Sequence, residues 1–481
     1  MVFSAPEFLF VFLPLTLLAF YAARRLAGHD ASLWVLLGAS LMFYSWWDVR
    51  FLPLLLVSIV MNFGLAQAIR AYGGAPWVAV GVAANLALLG VFKYADFVVA
   101  NLNAVAGLNL PLPNLPLPLA ISFFTFQQIA FLVDVARRTT EPSRADRYAL
   151  FVAFFPQLIA GPIVHHRTMA PQLADPEHGS KIARNLSAGL SIFAVGLAKK
   201  VLIADTVAPY SNAAFDAAAA GEPVGLALAW TGALAYAMQI YFDFSGYSDM
   251  ALGLGRMFGF QLPINFNAPY KARSITDFWR RWHITLSHFL RDYLYIPLGG
   301  NRAGQARMLV NLMIVMLLGG LWHGAAWTFV VWGGLHGLAL MWCRLMDRLH
   351  HGGLFAFAPW MSVGVTFLFV TITWVFFRAE SFDAAWMMLT GMAGLNGAGA
   401  GVGDEPFIAL AICLLIVWRA PETCQIFHDQ IDPELRREAG VTAPPRMVWR
   451  PSARNAVLIA AVLFVCLVNT WGFSEFIYYN F

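Results

Sequence analysis

Two histidines, forty residues apart, carry the chemistry this chain can do: His283 in DFWRRWHITL and His323 in LLGGLWHGAAW. An imidazole titrates near pH 6.5, which suits removal of a proton from a hydroxyl at neutral pH. His323 lies inside an apolar run, and an ionisable group at membrane depth is costly to keep there, so it is a functional candidate by default. Gly319, Gly320 and Gly324 flank it. Glycines let backbones approach closely, which suits a narrow tunnel around the ring. The alternative is that His323 is hydrogen-bonding glue between helices. His283 can orient the reacting end of a cofactor or help bind it, or it can serve as an interfacial anchor beside its tryptophans.

The segment between these histidines is cationic. From Lys271 to Arg307 there are seven Lys/Arg (Lys271, Arg273, Arg280, Arg281, Arg291, Arg302, Arg307) and two Asp. Such an apron can hold a pyrophosphate and a ribose phosphate through charge-assisted hydrogen bonds. It can equally anchor to anionic lipid. Arg280, Arg281 and Arg291 are the first choices for a cofactor, with Lys271 beside them. Asp243 and Asp249, in YFDFSGYSDM, read as structural support, as does His336; His165 and His166 read as interfacial. No phosphate-binding glycine loop, dinucleotide fingerprint or serine nucleophile elbow occurs. The four cysteines are scattered, without metal-ligand spacing, and neither a metal nor a disulfide is expected.

The elements that hold these residues must be membrane helices. Hydrophobic residues make up 59% of the 481 residues and charged residues 12%, about half the charge of a soluble domain. Thirteen apolar runs approach the ~20 residues needed to span, starting between Phe8 and Asn455. Ten to thirteen transmembrane or re-entrant helices are therefore expected, in an all-α polytopic fold. No polar linker divides the chain, so one membrane domain, 1–481, is expected, with its chemistry in 239–337. No cleavable signal peptide is read at the start. Arg24 and Arg25 follow the first run, which places them in the cytoplasm and the N-terminus outside. The basic stretch Arg419–Arg454 is then inside and the tail, 473–481, outside. Residues 265–301 carry too much charge to span. Phe278, Trp282, Leu286, Phe289, Leu290 and Tyr293 fall at helical spacing there, as amphipathic helices lying at the interface or dipping into it would require. Net charge is +4; the local bias points to topology and an anionic ligand rather than nucleic acid.

Several stretches together carry a family likeness: MVFSAPEFLFVFLPL, SLMFYSWW, FFPQLIAGPIV, GLAKKVLIAD, YFDFSGYSDMALGLGRMFGF, NFNAPY, SITDFWRRWHITLSHFLRDYLYIPLGGNR and LGGLWHGAAWT. The chain resembles the membrane-bound O-acyltransferases, specifically their bacterial alginate O-acetylation subgroup, over nearly its full length. The resemblance puts the family's invariant histidine on His323. Its second position, often Asn in eukaryotic members, falls on His283. It implies a helical fold around a transmembrane tunnel, entered by cytoplasmic acetyl-CoA from one mouth and by the acceptor from the other. It also implies an inner-membrane location and a periplasmic or membrane-anchored SGNH-like partner that esterifies an exopolysaccharide, alginate or a related polymer. His323 is then the general base. The developing oxyanion needs a donor, and both the Trp322 indole and His283 are candidates. A transporter, or a scaffold subunit without chemistry of its own, is the rival reading.

The chain ends Phe476-Ile477-Tyr478-Tyr479-Asn480-Phe481. This resembles the Phe-x-Tyr-x-x-Phe ending of a small partner peptide in teichoic-acid D-alanylation, where the tyrosine is implicated as an acyl carrier. A phenol of pKa about 10 leaves nearly as well as a thiol of about 8.5, so an acetylated Tyr478 would keep much of the thioester's transfer potential. Seven extended residues from Trp471 reach roughly 23 Å, against roughly 15 Å from interface to midplane. The alternative is an aromatic interface anchor.

Overall fold

The computed structural model describes residues 1–302, 304–350, 358–399, 402–442, 447–470 and 477. Among them the regular structure is entirely helical. Lipid offers backbone amides no partner, so spanning segments must satisfy their own hydrogen bonds. Among the described residues, seven helices are long and apolar enough to cross a membrane: Phe8–Ala27, Val49–Tyr72, Ala75–Ala106, Ile182–Ala219, Gln305–His323, Trp327–Asp347 and Pro359–Arg378. The run from Val224 lies in the long helix Leu226–Met257, of 32 residues, and others form shorter helices. His29–Ser45 has 17 residues, and Ile121–Ala136 and Asp404–Arg419 have 16 each. At 1.5 Å rise per residue these fall short of a full ~30 Å crossing. The chain is therefore an all-α multi-pass membrane protein.

The residues pack into two compact units, although no linker interrupts the sequence. The first comprises 1–194 and 247–263, the second 195–246 and 264–481. In the first unit, Phe3, Phe8, Phe12, Phe43 and Phe155 form one aromatic cluster with ring centroids 5.1–6.2 Å apart. Helices Val49–Tyr72 and Ala75–Ala106 are joined by reciprocal amide bonds between Asn62 and Asn85, of 3.2 and 2.7 Å. Such pairs inside a membrane contribute about 0.6 kcal/mol each. His166 is buried rather than interfacial. It bonds Thr140 Oγ1 and Ser143 Oγ at 2.8 and 3.1 Å, and burial pushes its pKa down to about 4.

In the second unit, helices Gln305–His323 and Trp327–His350 cross very closely. A Cβ on Gly320 would lie 2.2 Å from the Phe329 carbonyl oxygen, and one on Gly333 2.2 Å from that of Met316. A Cβ on Gly324 would strike the Phe329 ring at 2.1 Å. Gly320 and Gly324 thus admit a neighbouring helix. Gly319 meets only Leu290 Cδ1, at 3.4 Å.

The segment from Asn265 to Tyr295 does not span. The expected amphipathic helix is divided into Ile275–Trp279 and Ile284–Leu290, followed by a wide π-type turn over Arg291–Tyr295. The division falls at His283, whose φ of 44° and ψ of 54° are left-handed. The preceding loop runs beside the break: Asn267 N–H donates to Arg281 O and Ile284 N–H to Asn265 O, both at 3.0 Å. Phe278, Trp282 and Leu286 are buried. This segment is therefore held inside the unit rather than laid flat on a membrane surface.

Candidate active site

His323 is the last residue of Gln305–His323, and its side chain is buried. The rings of Trp322, Phe377 and Trp332 lie 4.9, 5.1 and 5.3 Å from it. Trp332 stacks in turn on Trp374 at 5.6 Å and 15°. Three helices thus contribute an aromatic cage around one imidazole. His283 enters the cage from the broken segment, its ring 6.5 Å from His323 and 6.1 Å from Trp322. The left-handed backbone that turns it inward is a conformation that histidine, asparagine and aspartate adopt more readily than most side chains. His283 is fully buried, and desolvation of the cation drives its pKa down to about 3, so the ring is neutral at physiological pH.

A cleft of about 630 Å³ opens beside the broken segment. Arg280, Arg281 and Arg291 line it, and Arg344 and Arg437 join them. Trp279, His288 and Tyr295 complete a partly aromatic wall. Ser287 also lines the cleft, and its N–H donates to His283 O at 3.0 Å. One helical turn therefore separates the cationic cleft from His283. Met316, also on the wall, precedes His323 by seven residues on the same helix, roughly 10 Å of rise.

The five arginines are not equivalent. Arg281 Nε is paired with Asp277 at 2.7 Å, and Arg291 Nε with Asp292 at 2.7 Å. Arg280, Arg344 and Arg437 make no ion pair among the described residues, so the lining, with Asp277 and Glu438 against five arginines, keeps an excess of positive charge. A polyanion fits such a cleft; a neutral lipid or sugar needs no such charge.

Other sequence candidates lie elsewhere. Lys271 points away from the cleft wall, and its ammonium donates to Ala420 O at 2.6 Å, capping the end of Asp404–Arg419. Trp322 belongs to the imidazole cage rather than the cleft. His336 is structural: Trp279 Nε1–H donates to its Nδ1 at 3.3 Å and its Nε2–H to Thr373 Oγ1 at 3.0 Å. Asp243 pairs with buried Lys200 at 2.8 Å and accepts the Ile477 N–H at 3.0 Å. Tyr478 lies outside the described residues. The cysteines are free thiols.

Three participants carried no signal in sequence spacing. Arg344 and Arg437 stand 64 and 157 residues beyond Arg280. Asn265 is polar and buried, bonded to His283 and Thr285. Glu422 is a second buried polar group of this kind; it gathers Lys199, the Tyr241 hydroxyl and the Ala268 N–H. Burial opposes its charge, but the Lys199 ammonium outweighs this and holds the carboxyl below its usual range.

Comparison with known proteins agrees with this architecture. Residues 128–382 match the family described as MBOAT, membrane-bound O-acyltransferase family. The chain is 45% identical over 429 residues to a peptidoglycan O-acetyltransferase of Helicobacter pylori, covering 82% of this chain and 80% of that one. It is 39% identical to a probable alginate O-acetylase of Azotobacter vinelandii, with 100% of both chains covered. A more distant relative is a teichoic acid D-alanyltransferase of Bacillus subtilis, 26% identical over 56% of this chain and 71% of that one. With an all-helical multi-pass fold and a family match over more than half its length, the chain belongs to the membrane-bound O-acyltransferases.

Proposed function

We propose that this protein is the membrane component of a bacterial glycan O-acetylation system, taking acetyl groups from cytoplasmic acetyl-CoA. Arg280, Arg344 and Arg437 receive the phosphates of the donor. The acceptor oxygen forms its bond to the thioester carbon as the carbon–sulfur bond breaks. Its proton passes to His323 as general base, and the thiolate leaves and takes up a proton. The observation that carries this reading is the junction of cleft and cage: three arginines without an ion pair among the described residues line a cleft with Ser287, whose N–H donates to the His283 carbonyl, and the His283 ring lies 6.5 Å from that of His323. A transporter needs no such junction, and a scaffold needs no neutral buried imidazole.

Tyr478 is the proposed first acceptor, at the outer mouth. Its neighbour Ile477 donates its N–H to buried Asp243, which supports a tail that enters the second unit. The acetyl-tyrosine then passes its group to an SGNH-like periplasmic partner, which esterifies the polymer. Both termini are periplasmic in this scheme, in the inner membrane. The polymer is alginate or a related exopolysaccharide; the identity to a peptidoglycan O-acetyltransferase supports peptidoglycan as the second reading. The test is transfer of labelled acetyl from acetyl-CoA by the purified, lipid-reconstituted protein, followed by addition of partner and either polymer. Absence of any acetyl-CoA consumption would remove the enzymatic reading in favour of a scaffold.

A further inference from the structure

The oxyanion donor and the proton acceptor can be distinguished by the hydrogen-bond network behind His283. Asn265 is buried, and its Oδ1 accepts from Thr285 Oγ1–H at 2.9 Å and from the Thr285 backbone N–H at 3.3 Å. A backbone N–H can only donate. The amide atom facing it is therefore the oxygen, which fixes the orientation of the Asn265 side chain without reference to histidine. The same oxygen stands 3.1 Å from His283 Nδ1. An oxygen that can only accept requires Nδ1 to carry the proton. A neutral imidazole with its proton on Nδ1 has only a lone pair on Nε2. That Nε2 is buried and has no hydrogen-bond partner among the described residues.

We propose that Asn265 is a positioning residue that locks His283 in the Nδ1–H tautomer, so that His283 Nε2 takes part as a proton acceptor and not as the oxyanion donor. The inference deepens the acyltransfer reading and rests on it for the role, though not for the tautomer. The oxyanion must then be met by a group that only donates, and in the cage Trp322 Nε1–H is of that type. His283 also has a defined use for its lone pair: it accepts the acceptor's hydroxyl hydrogen bond, or that of His323, and so orders the proton's path. Of the rings in contact with His283, Phe244, Trp322 and His323, only His323 titrates.

The decisive measurement needs no turnover. Protein labelled with 15N only in histidine is reconstituted in lipid, and the His283 signals are identified by difference from His283→Asn. An unprotonated-type shift for Nε2 and a protonated one for Nδ1 are expected at neutral pH. A protonated Nε2, in either the other tautomer or the cation, overturns the proposal. The second arm uses Asn265→Asp, which keeps an acceptor at the same place but adds a negative charge. That charge favours the imidazolium, so the neutral acceptor form is lost at higher pH. The pH at which the His283 nitrogens protonate, followed in the same labelled protein, should move up by about one pH unit or more, and an unmoved midpoint overturns the proposal. Purified protein that consumes no acetyl-CoA, yet shows the expected tautomer, would sink the acyltransferase function while leaving the Asn265–His283 lock standing.

Discussion

Replacing Arg280, Arg344 and Arg437 together by glutamine should raise the KM for acetyl-CoA by roughly 10- to 100-fold, with little change in kcat. The three line one cleft and lack carboxylate partners among the described residues. Arg280 and Arg437 are exposed and Arg344 half-buried, so each is discounted for solvent to about 0.5–1 kcal/mol. Added over three sites this is about 1.5–3 kcal/mol, and about 1.4 kcal/mol is tenfold. Arg291→Gln is the comparator. Its guanidinium is already engaged by Asp292 through bonds of 2.7 and 3.0 Å, and its loss should change KM by about twofold or less. The assay is initial-rate acetyl-CoA consumption in proteoliposomes at two ionic strengths. The gap between wild type and the triple variant should narrow at high salt, because exposed charges are screened beyond about 10 Å at 0.1 M. A triple variant with wild-type KM, or one that loses kcat while KM holds, would refute phosphate binding in this cleft and assign the arginines to lipid.

Three further outcomes follow from particular residues. His323→Ala should lower acetyl transfer about 10²–10⁴-fold with membrane insertion intact, checked by labelled-acetyl assay and detergent gel filtration; near wild-type transfer would remove it from the mechanism. Gly320→Ala should destabilise the protein by about 1–3 kcal/mol through overpacking, because the added Cβ meets a backbone oxygen at 2.2 Å. Gly319→Ala, which meets a movable leucine methyl, should be nearly neutral; equal thermal shifts for the two would contradict the close helix crossing. Tyr478→Phe should stop polymer acetylation while leaving acetyl-CoA binding unchanged, and a variant that acetylates polymer normally reduces the tail to an anchor.

The segment from Asn265 to Tyr295 shows where sequence reading ends. The apolar spacing from Phe278 to Tyr293 is helical, and Phe278, Trp282, Leu286, Phe289 and Leu290 do go inward, while Tyr293 is half-buried. Periodicity cannot register one left-handed residue, however, and His283 breaks the helix at that point. The charge density of Lys271–Arg307 was equally legible. That Lys271 caps a carbonyl, that Arg281 and Arg291 pair with carboxylates and that Arg280 lines the cleft without an ion pair among the described residues was not, because it depends on what lies opposite each side chain.

The sequence by itself determined the solvent of this protein. With 59% hydrophobic residues, and apolar runs repeated along the whole chain, no soluble fold is available. It also marked out His323, a polar group conspicuous in an apolar run, and His283, set among tryptophans and arginines. Only the tertiary structure decided their company. Arg344 and Arg437 come to the cleft from 64 and 157 residues away from Arg280, and Asn265 meets His283 because loop and helix start are paired backbone to backbone. Local composition reports how costly it is to bury a residue. Which partner offsets that cost depends on contacts between distant segments, and these arise only when the chain has closed on itself.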